Sequence, residues 1–299
     1  MSGFFWNNRG FNNKSKHGVM RKWLKEENFD FGCLLETKVK EGRANQIVKS
    51  VFKDWSLLSN YEEHILGRLW LVWKNTVRVT PIYKTSQLIT CSILIEGSKE
   101  EIFVSFVYAS NFAMERKMLW SDLSYHQDSP LFRDKAWLIC GDFNEILEGD
   151  DHSLYISTPH ISPGMRDFQE VVRKCELTDL SYQGKRFTWC NKRQDGIICK
   201  KLDRVLVNET WTQKYIKSYA VFEHGGCLDH MRCRFYLAEE IHKTKRPFKF
   251  MNVVMTHSGY QAEFEQSWKR SQPLFHSTSA MHILSKKLKA LKPHLRAIG

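Results

Sequence analysis

The sequence lacks the features of a membrane-spanning or secreted protein. Its apolar runs all fall short of the ~20 residues that a helix needs to cross a bilayer. The N-terminal segment MSGFFWNNRG is too polar, and its apolar part too short, for a secretory signal peptide. Internal repeats and low-complexity tracts are also missing. We therefore expect an intracellular protein with no membrane partner.

The cysteines do not form the framework of a small disulfide-rich protein. Eight are scattered along the 299 residues, several of them within apolar runs: Cys33, Cys91, Cys140, Cys175, Cys190, Cys199, Cys227 and Cys233. This distribution predicts reduced, mostly buried thiols. Four possible zinc ligands, His224, Cys227, His230 and Cys233, occur at every third residue. Their short span lacks the long separation typical of structural zinc sites, so zinc is the less favoured interpretation.

Acidic residues are scarce only in the C-terminal fifth of the chain. Residues 241–299 contain 11 Lys and Arg but only two acids, Glu263 and Glu265, whereas residues 1–240 contain 34 Lys and Arg and 31 Asp and Glu. A basic segment attracts nucleic acid or an anionic membrane surface. The other interpretation is a solvated, Lys-rich helix with no partner.

Short apolar runs rich in Val, Ile, Phe and Trp predict many strands. The predicted strands are Phe4–Trp6, Phe31–Leu35, Trp55–Leu58, Leu69–Trp73, Leu88–Leu94, Ile102–Tyr108, Ala136–Cys140, Arg186–Cys190, Leu202–Leu206 and Cys233–Tyr236. The predicted helices are Lys16–Glu27, Arg43–Phe52, Met114–Tyr125, Met165–Cys175 and Glu209–Tyr215. Interspersed strands and helices with short connections predict an α/β (α+β) fold, a two-sheet β-sandwich with flanking helices.

The composition changes near residue 240. The segment IHKTKRPFKF is basic and polar, and two helical patterns follow it, near Tyr260–Trp268 and Met281–Ile298. We therefore predict one domain over residues 1–240 and a basic helical extension over residues 241–299. In the extension, leucines from Leu284 to Leu295 form an apolar stripe beside several lysines. This stripe would dock on the first domain or on a missing downstream domain, or the basic face would contact nucleic acid.

Polar residues lie at the end of one apolar run after another. They are Asn7, Glu36, Tyr108, Asp142, Asn144, Asp203, Asp229 and His230. Each has an ordinary explanation alone: Glu36 as a partner of Lys38 or Lys40, Asp142 as a turn residue after Gly141. As a set they are harder to dismiss, because side chains at strand ends converge on one rim of a sheet protein.

The set suits metal-assisted hydrolysis of a phosphodiester. This reaction needs carboxylates to hold a hard cation such as Mg²⁺, an activated water, and donors around the phosphate oxygens. Carboxylate, amide, phenol and imidazole groups supply these functions. A covalent nucleophile is not indicated, because the sequence contains no Gly-x-Ser-x-Gly motif.

The order of these motifs resembles the endonuclease/exonuclease/phosphatase family, which includes AP endonucleases and DNase I. The motifs are WN (Trp6-Asn7), LLETK (Leu34–Lys38), VYASN (Val107–Asn111), GDFN (Gly141–Asn144), LDRVLV (Leu202–Val207) and DH (Asp229-His230). Further segments are similar to the endonuclease of plant LINE retrotransposons: GRLWLVW (Gly67–Trp73), the stretch from Arg116 to Trp120, FTWCN (Phe187–Asn191) and SKKLKALKPHLR (Ser285–Arg296). The resemblance implies a DNase I-like fold.

The resemblance also implies a role for each site residue. Glu36 and Asp229 would lie at the metal, which the resemblance implies is Mg²⁺ or Mn²⁺. Asp142 would position or deprotonate the attacking water, with Asn7 holding Asp142 in place. Asn144 and Tyr108 would contact the phosphate. Asp203 would orient His230, and the His230 imidazole would stabilise charge on the phosphate.

Three positions depart from the family pattern. Arg9 replaces the acid that AP endonucleases carry two residues after the first Asn, which puts a second metal contact in doubt. Leu228 replaces the usual Ser before Asp229, and Phe4 and Phe5 replace the usual β-branched start of the first strand.

The sequence therefore predicts a Mg²⁺-dependent phosphodiesterase, a DNA-nicking endonuclease of LINE type whose nick would prime reverse transcription. Because the chain stops at Gly299, we expect a truncated or domesticated copy with a separate or lost reverse transcriptase. A DNA substrate implies a nuclear location. The alternatives are a catalytically dead relic that binds nucleic acid or a protein, and an enzyme acting on RNA, abasic DNA or a phosphoinositide.

Overall fold

The computed structural model describes most of the chain. The described residues are 1–98, 100–155, 161–191, 193, 195–226, 229–237, 255, 258–270, 284, 287–288 and 291. The chain divides into two compact units, residues 1–241 and 242–299, and each is described by itself.

The first unit contains fifteen strands and five α-helices within its described residues. The strands are β1 (Ser2–Asn7), β2 (Phe31–Leu35), β3 (Ser56–Ser59), β4 (Leu69–Trp73), β5 (Val77–Lys84), β6 (Leu88–Ile95), β7 (Ile102–Tyr108), β8 (Trp137–Asp142), β9 (Thr178–Asp179), β10 (Tyr182–Gly184), β11 (Trp189–Cys190), β12 (Cys199–Lys200), β13 (Asp203–Val207), β14 (Tyr219–His224) and β15 (Met231–Tyr236). The helices are α1 (Lys14–Glu26), α2 (Glu41–Phe52), α3 (Ala113–Asp128), α4 (Pro163–Lys174) and α5 (Glu209–Lys214).

Two mixed sheets form the centre of this unit. One has seven strands in the order β10-β14-β15-β1-β2-β4-β3, and the other has six in the order β5-β6-β7-β8-β13-β9. The parallel pairs are β1 with β2 and β10 with β14 in the first sheet and β7 with β8 in the second, and the other neighbours are antiparallel. The short strands β11 and β12 form a separate hairpin.

Strand β7 shows why the strands of both sheets are so apolar. Its sequence IFVSFVY is buried throughout. Val104 and Phe106 belong to the core between the sheets, whereas Phe103 and Val107 pack into the cluster that contains residues of α3 and α4. Alternate side chains of a strand point to opposite faces, so a strand covered on both faces is mostly apolar, and its one Ser, Ser105, is hydrogen-bonded to Thr90 and Trp137.

Helices α1 and α2 cover the outer face of the seven-stranded sheet. Trp23 and Val48 pack there against Phe4 and Trp6 of β1. Helix α1 begins after Asn13, whose side chain accepts the amide hydrogen bond of Ser15 and thereby caps the helix. The resulting layers, helices, sheet, sheet and helices, confirm the predicted two-sheet α/β sandwich.

Five strands escaped prediction, namely β5, β9, β10, β12 and β14. Strands β9, β10 and β12 are only two or three residues long. Strand β5 is mostly solvent-facing and carries Pro81 beside a shift in its register, so it has no strong apolar alternation. Strand β14 buries only Ala220 and Phe222. The weak apolar signal of these strands explains the omission.

One prediction about the cysteines is wrong. Cys190 and Cys199 form a disulfide, because β11 pairs with β12 and places the two residues opposite each other, with a Cα–Cα distance of 4.1 Å. Five other cysteines are free and buried, as predicted. Cys227 lies outside the described residues.

The second unit contains one described helix, α6 (Tyr260–Arg270), at the position of the first predicted tail helix. The second predicted tail helix, Met281–Ile298, lies almost entirely outside the described residues, as does the predicted boundary near residue 240. In the described part of the chain, no helix is long and apolar enough to cross a membrane.

Gly141 occupies a position that only glycine fits. It precedes Asp142 in β8, has a φ of 143°, and a Cβ there would clash with the backbone carbonyl of Val107. We expect Gly141→Ala to lower the free energy of unfolding by at least about 3 kcal/mol, because both the φ angle and the strand spacing would have to change.

Urea unfolding measures this effect, and Gly42→Ala is the matched control. Gly42 lies in α2 with open space at its Cβ, so alanine there should stabilise the protein by roughly 0.5–1 kcal/mol. Equal stabilities for the two variants would contradict the packing described at Gly141.

His126 is buried and takes part in a chain of hydrogen bonds. Its Nδ1 lies 2.6 Å from the Asp122 carbonyl and therefore donates, which leaves Nε2 to accept from the Thr90 hydroxyl at 3.0 Å. The chain continues from Thr90 to Ser105 and to the Trp137 indole. Burial lowers the pKa of His126 below its usual 6.5.

This lowered pKa predicts a loss of stability at acidic pH. In the unfolded chain, the pKa of His126 is about 6.5, whereas in the folded protein it is lower. As the pH drops through about 6.5, the unfolded state therefore binds a proton that the folded state does not, and the free energy of unfolding falls. The effect is at most about 1.4 kcal/mol per pH unit, because one proton is involved. Urea midpoints from pH 8 to 5 should therefore show a shallower slope for His126→Gln than for the wild type. Parallel slopes would contradict the prediction.

Candidate active site

The ends of six strands meet at one rim of the sandwich. Tyr108 ends β7 and pairs with Asp142 at the end of β8. Asp142 also pairs with Asp203 at the start of the antiparallel β13. On the other sheet, Asn7 ends β1 and Glu36 follows β2, while His230 precedes β15.

Asp142 lies at the centre of the rim and is fully buried. The Asn7 Nδ2 donates to Asp142 Oδ2 at 2.8 Å, and the backbone N–H of Asn144 donates to Oδ1 at 2.9 Å. Burial raises the pKa of Asp142 to about 6, an increase that the charge on His230 reduces and the charge on Asp203 reinforces. The carboxyl group is therefore ionised at neutral pH but close to the range in which it accepts a proton.

His230 lies between two carboxylates. Its Nδ1 is 3.0 Å from Asp203 Oδ2 and must donate, because a carboxylate only accepts. The opposite nitrogen, Nε2, is 3.8 Å from Asp142 Oδ2. Burial lowers the pKa of His230, but the charges on Asp203 and Asp142 outweigh it and raise the value to about 9. His230 is therefore an imidazolium at neutral pH.

Asp203 is positioned by the segment before the disulfide hairpin. The Thr188 hydroxyl accepts the backbone N–H groups of Asp203, at 2.9 Å, and of Leu202, at 3.1 Å. Next to it, Trp189 forms a backbone bridge with His230, and its indole N–H donates to Asp229 Oδ2 at 3.0 Å. Sequence reasoning missed these supporting roles of Thr188 and Trp189, whose only signal was the FTWCN motif.

The two predicted metal ligands each have a cationic neighbour. Glu36 is nearly buried and pairs with Lys38 Nζ at 2.6 Å, and Asp229 pairs with Arg9. Burial raises the pKa of Asp229, but His230 and Arg9 outweigh this effect and lower it below its usual value. The charge on Arg9 also interacts with Glu36, so both carboxylates border the same small region.

Tyr108 lies beside Glu36 under the rim. Burial, the charges on Glu36 and Asp142, and a hydrogen bond with Glu36 raise the pKa of the Tyr108 phenol, so it stays a hydrogen-bond donor. The Arg68 guanidinium lies 5.8 Å from the centre of the Tyr108 ring. Asn144 donates its Nδ2 to the Ala109 carbonyl at 2.7 Å, and its predicted contact with the phosphate stays a prediction.

The donor chemistry at Glu36 and Asp229 fits a hard divalent cation. Carboxylate oxygens are the ligands that Mg²⁺ prefers, and each carboxylate already attracts a positive charge. Lys38 and Arg9 are about half exposed, so their side chains have room to move away. Asp142, Asp203 and His230 also place possible ligand atoms within 4.8 Å of one another. The raised pKa of His230 favours a protonated ring there, which cannot bind a metal.

The alternative zinc site is not assembled among the described residues. His230 donates to Asp203, and Cys233 lies buried in the core between the sheets. His224 pairs with Met231 across the strands. Cys227 and Leu228 lie outside the described residues.

Comparisons with known proteins agree with this geometry. The model of the family described as "Endonuclease/Exonuclease/phosphatase family" matches residues 5–224. No curated protein matches the sequence. Among solved structures, the endonuclease domain of TRAS1, a telomere-specific non-LTR retrotransposon, is similar at 11% identity and a TM-score of 0.60, covering 79% of this chain and 97% of that chain.

Two further structures share the fold. The AP endonuclease LMAP from Leishmania major has 12% identity and a TM-score of 0.62, and the match covers 80% of this chain and 88% of that chain. The 3' phosphatase NExo from Neisseria, bound to a product DNA hairpin, has 16% identity and a TM-score of 0.61, and the match covers 80% and 99%. At these identities the likeness shows the fold alone.

Proposed function

Because the chain belongs to the endonuclease/exonuclease/phosphatase family, we propose that it hydrolyses phosphodiester bonds in DNA with a divalent cation, as a nicking endonuclease. The observation that carries this proposal is the arrangement of Asp142, His230 and Asp203. A buried carboxylate and an oriented imidazolium face each other where the strand ends meet, and in-line attack of water on a phosphate needs such a base and such a donor.

Asp142 is the group that activates the water. Asn7 and the Asn144 amide hold its two oxygens in place, and each oxygen keeps a further lone pair. A general base works best when its pKa lies near the working pH, and burial has raised that of Asp142 to about 6. The Asp142 carboxylate is therefore a stronger proton acceptor than the carboxylate of an exposed aspartate.

His230 stabilises the negative charge that develops on the phosphate oxygens. Its Nε2–H faces the same space as Asp142 Oδ2, and Asp203 holds the ring by its other nitrogen. A charged donor fixed in advance costs no reorganisation when the charge develops. Tyr108 supplies a neutral donor beside it.

Glu36 and Asp229 would hold the divalent cation, Mg²⁺ or Mn²⁺. When bound, the cation supplies a Lewis acid that neutralises charge on the phosphate and the leaving oxygen. Arg9 and Lys38 would then leave their carboxylates and become available to neighbouring phosphates.

Duplex DNA is the substrate that the surroundings of the site favour. A cleft of about 300 Å³ lined by Lys14, Arg21 and Arg43 adjoins the rim through Asn12, whose Nδ2 donates to the Lys38 carbonyl at 2.8 Å. Within the described part of the chain, no ion pair is found at Lys14, Arg21 or Arg43. Unpaired cations beside the site suit the phosphates of a long polyanion.

We expect the triple variant Lys14→Gln, Arg21→Gln, Arg43→Gln to bind duplex DNA more weakly and with less dependence on salt. Each lost phosphate contact should reduce the slope of log affinity against log salt by about 0.9. Hydrolysis of a small phosphodiester such as bis(p-nitrophenyl) phosphate should stay unchanged.

The matched control removes three exposed charges from other surfaces, Arg78→Gln, Arg133→Gln and Lys135→Gln. Arg133 and Lys135 precede β8, at the end of the strand opposite Asp142. An unchanged salt slope in the first triple variant would contradict a duplex path along the cleft.

The substrate itself is tested by offering supercoiled plasmid, abasic duplex, an RNA hairpin and a phosphoinositide to the purified protein. Preferred cleavage of plasmid supports the proposal. Cleavage of only one of the others would reassign the substrate, and cleavage of none would favour a relic that binds without reacting.

We also propose a retrotransposon origin of LINE type, supported by the motifs and by the fold of the TRAS1 domain. On this proposal residues 241–299 are a basic extension of the nuclease domain, and the protein acts in the nucleus.

A further inference from the structure

A buried ion pair connects the loop that follows Tyr108 with the loop that carries Asn144. Arg116 lies on α3 and Glu145 follows the GDFN motif, and their NH2 and Oε2 atoms are 2.7 Å apart. The exposed fractions of the two side chains are only 7% and 14%. Neither residue belongs to the group of strand-end residues described above.

Arg116 holds the loop after β7. Its NH1 donates to the carbonyl oxygens of Ser110 and Asn111, both at 3.0 Å. These residues follow Tyr108 by two and three positions. Gln87 holds the same loop from the other side, because its Oε1 accepts the Ser110 N–H at 2.6 Å.

Glu145 holds the loop after β8. It directly follows Asn144, which has a φ of 47° and whose side chain donates to the Ala109 carbonyl. The second oxygen of Glu145 accepts the backbone N–H of Ile146 at 3.1 Å. The Asn144 backbone N–H, in turn, donates to Asp142. The ion pair therefore links the loop after Tyr108 to Asn144, which donates directly to Asp142.

Helix α4 closes over the ion pair. A Cβ at Gly164 would clash with Glu145 Oε2 and lie 3.1 Å from Arg116 NH2, so the first turn of α4 lies directly on both groups. Excluding water strengthens a hydrogen-bonded ion pair and makes the loss of either partner costly.

We propose that Arg116 is a positioning residue whose guanidinium, clamped by Glu145, sets the spacing between Tyr108 and Asn144. This inference rests on the proposed phosphodiesterase function. Because the guanidinium bonds to loop carbonyls and not to the apolar core, its loss displaces the loops at the rim. A displacement of about 1 Å among reacting groups lowers a rate by about 100-fold.

The test measures kcat and KM for Arg116→Ala, with and without added guanidinium ion. We expect kcat to fall by about 100-fold with KM nearly unchanged, and millimolar guanidinium to restore a large part of the lost rate. Arg116→Lys should recover little, because one ammonium group cannot reach both loops. Lys117→Ala, the next residue on the same helix and exposed, should behave as wild type.

Side-chain amide NMR provides a measurement that does not depend on activity. In Glu145→Gln and Arg116→Lys, which keep size and are expected to fold, the Asn144 side-chain signal should shift or broaden, whereas Lys117→Ala should leave it in place. An unchanged Asn144 signal together with a kcat within twofold of wild type would overturn the clamp. If the Asn144 signal shifts in the variants but the wild-type protein cleaves no substrate, the proposed function is overturned and the clamp stands.

Discussion

Asp142→Asn is expected to lower the single-turnover rate of DNA cleavage by about 10³-fold, while the protein folds as well as the wild type. General-base catalysis contributes roughly 10²–10⁴-fold, and asparagine cannot accept the proton of the attacking water. The change is nearly isosteric, and the amide oxygen can still accept the Asn144 N–H, although the amide nitrogen cannot accept from Asn7.

Stability should separate this effect from unfolding. The pKa of Asp142 is raised to about 6 in the folded protein, so its ionised form disfavours folding at neutral pH. Neutral asparagine removes this unfavourable term, which offsets the loss of the hydrogen bond from Asn7, and we expect a urea midpoint at pH 7 close to that of the wild type. Asp150→Asn is the matched control, since Asp150 is exposed and bears only a 3.4 Å ion pair with Arg186. More than a tenth of the wild-type rate in Asp142→Asn would contradict the assignment of the base.

Glu36→Gln is expected to weaken the response to the divalent cation and lower the rate by roughly 10²–10³-fold at a fixed cation concentration. A bound cation is worth several kcal/mol of charge stabilisation, and the amide removes one of the two carboxylates that would hold it. Raising the concentration of Mg²⁺ or Mn²⁺ should recover part of the activity.

Calorimetric titration of Mn²⁺ measures the binding loss directly. The control is Glu41→Gln, an exposed acid in the first turn of α2. If Glu36→Gln reaches half of its maximal rate at the same cation concentration as the wild type, Glu36 does not hold the cation.

The fold was predictable because most strands are buried on both faces. A run such as IFVSFV in β7 is apolar at every position except Ser105, so it stands out without any knowledge of its neighbours. The edge strand β5 gives no such signal, because much of it faces solvent and Pro81 interrupts its pairing.

The sequence predicted which residues lie at the rim, but it did not predict which of them contact one another. Asp142 and His230 each follow or precede an apolar run, which a single sequence shows. The contact between Asn7 and Asp142 joins residues 135 positions apart, and that between Asp203 and His230 joins residues 27 apart. Such contacts depend on strand order and register, which local patterns do not contain.

Supporting residues were the hardest to predict. Thr188 accepts two backbone amides near Asp203, and Arg116 holds two loop carbonyls, yet both are ordinary residue types in unremarkable positions. The disulfide was missed for the same reason, since only the pairing of β11 with β12 places Cys190 opposite Cys199.

The most direct test of a cation-dependent phosphodiesterase at this rim is nicking of supercoiled plasmid by the purified protein, with Mg²⁺ and with EDTA, beside Asp142→Ala and His230→Ala. We predict nicking that requires the cation and disappears in both variants. A folded wild-type protein that leaves the plasmid intact, or variants that nick as fast as the wild type, would contradict the account.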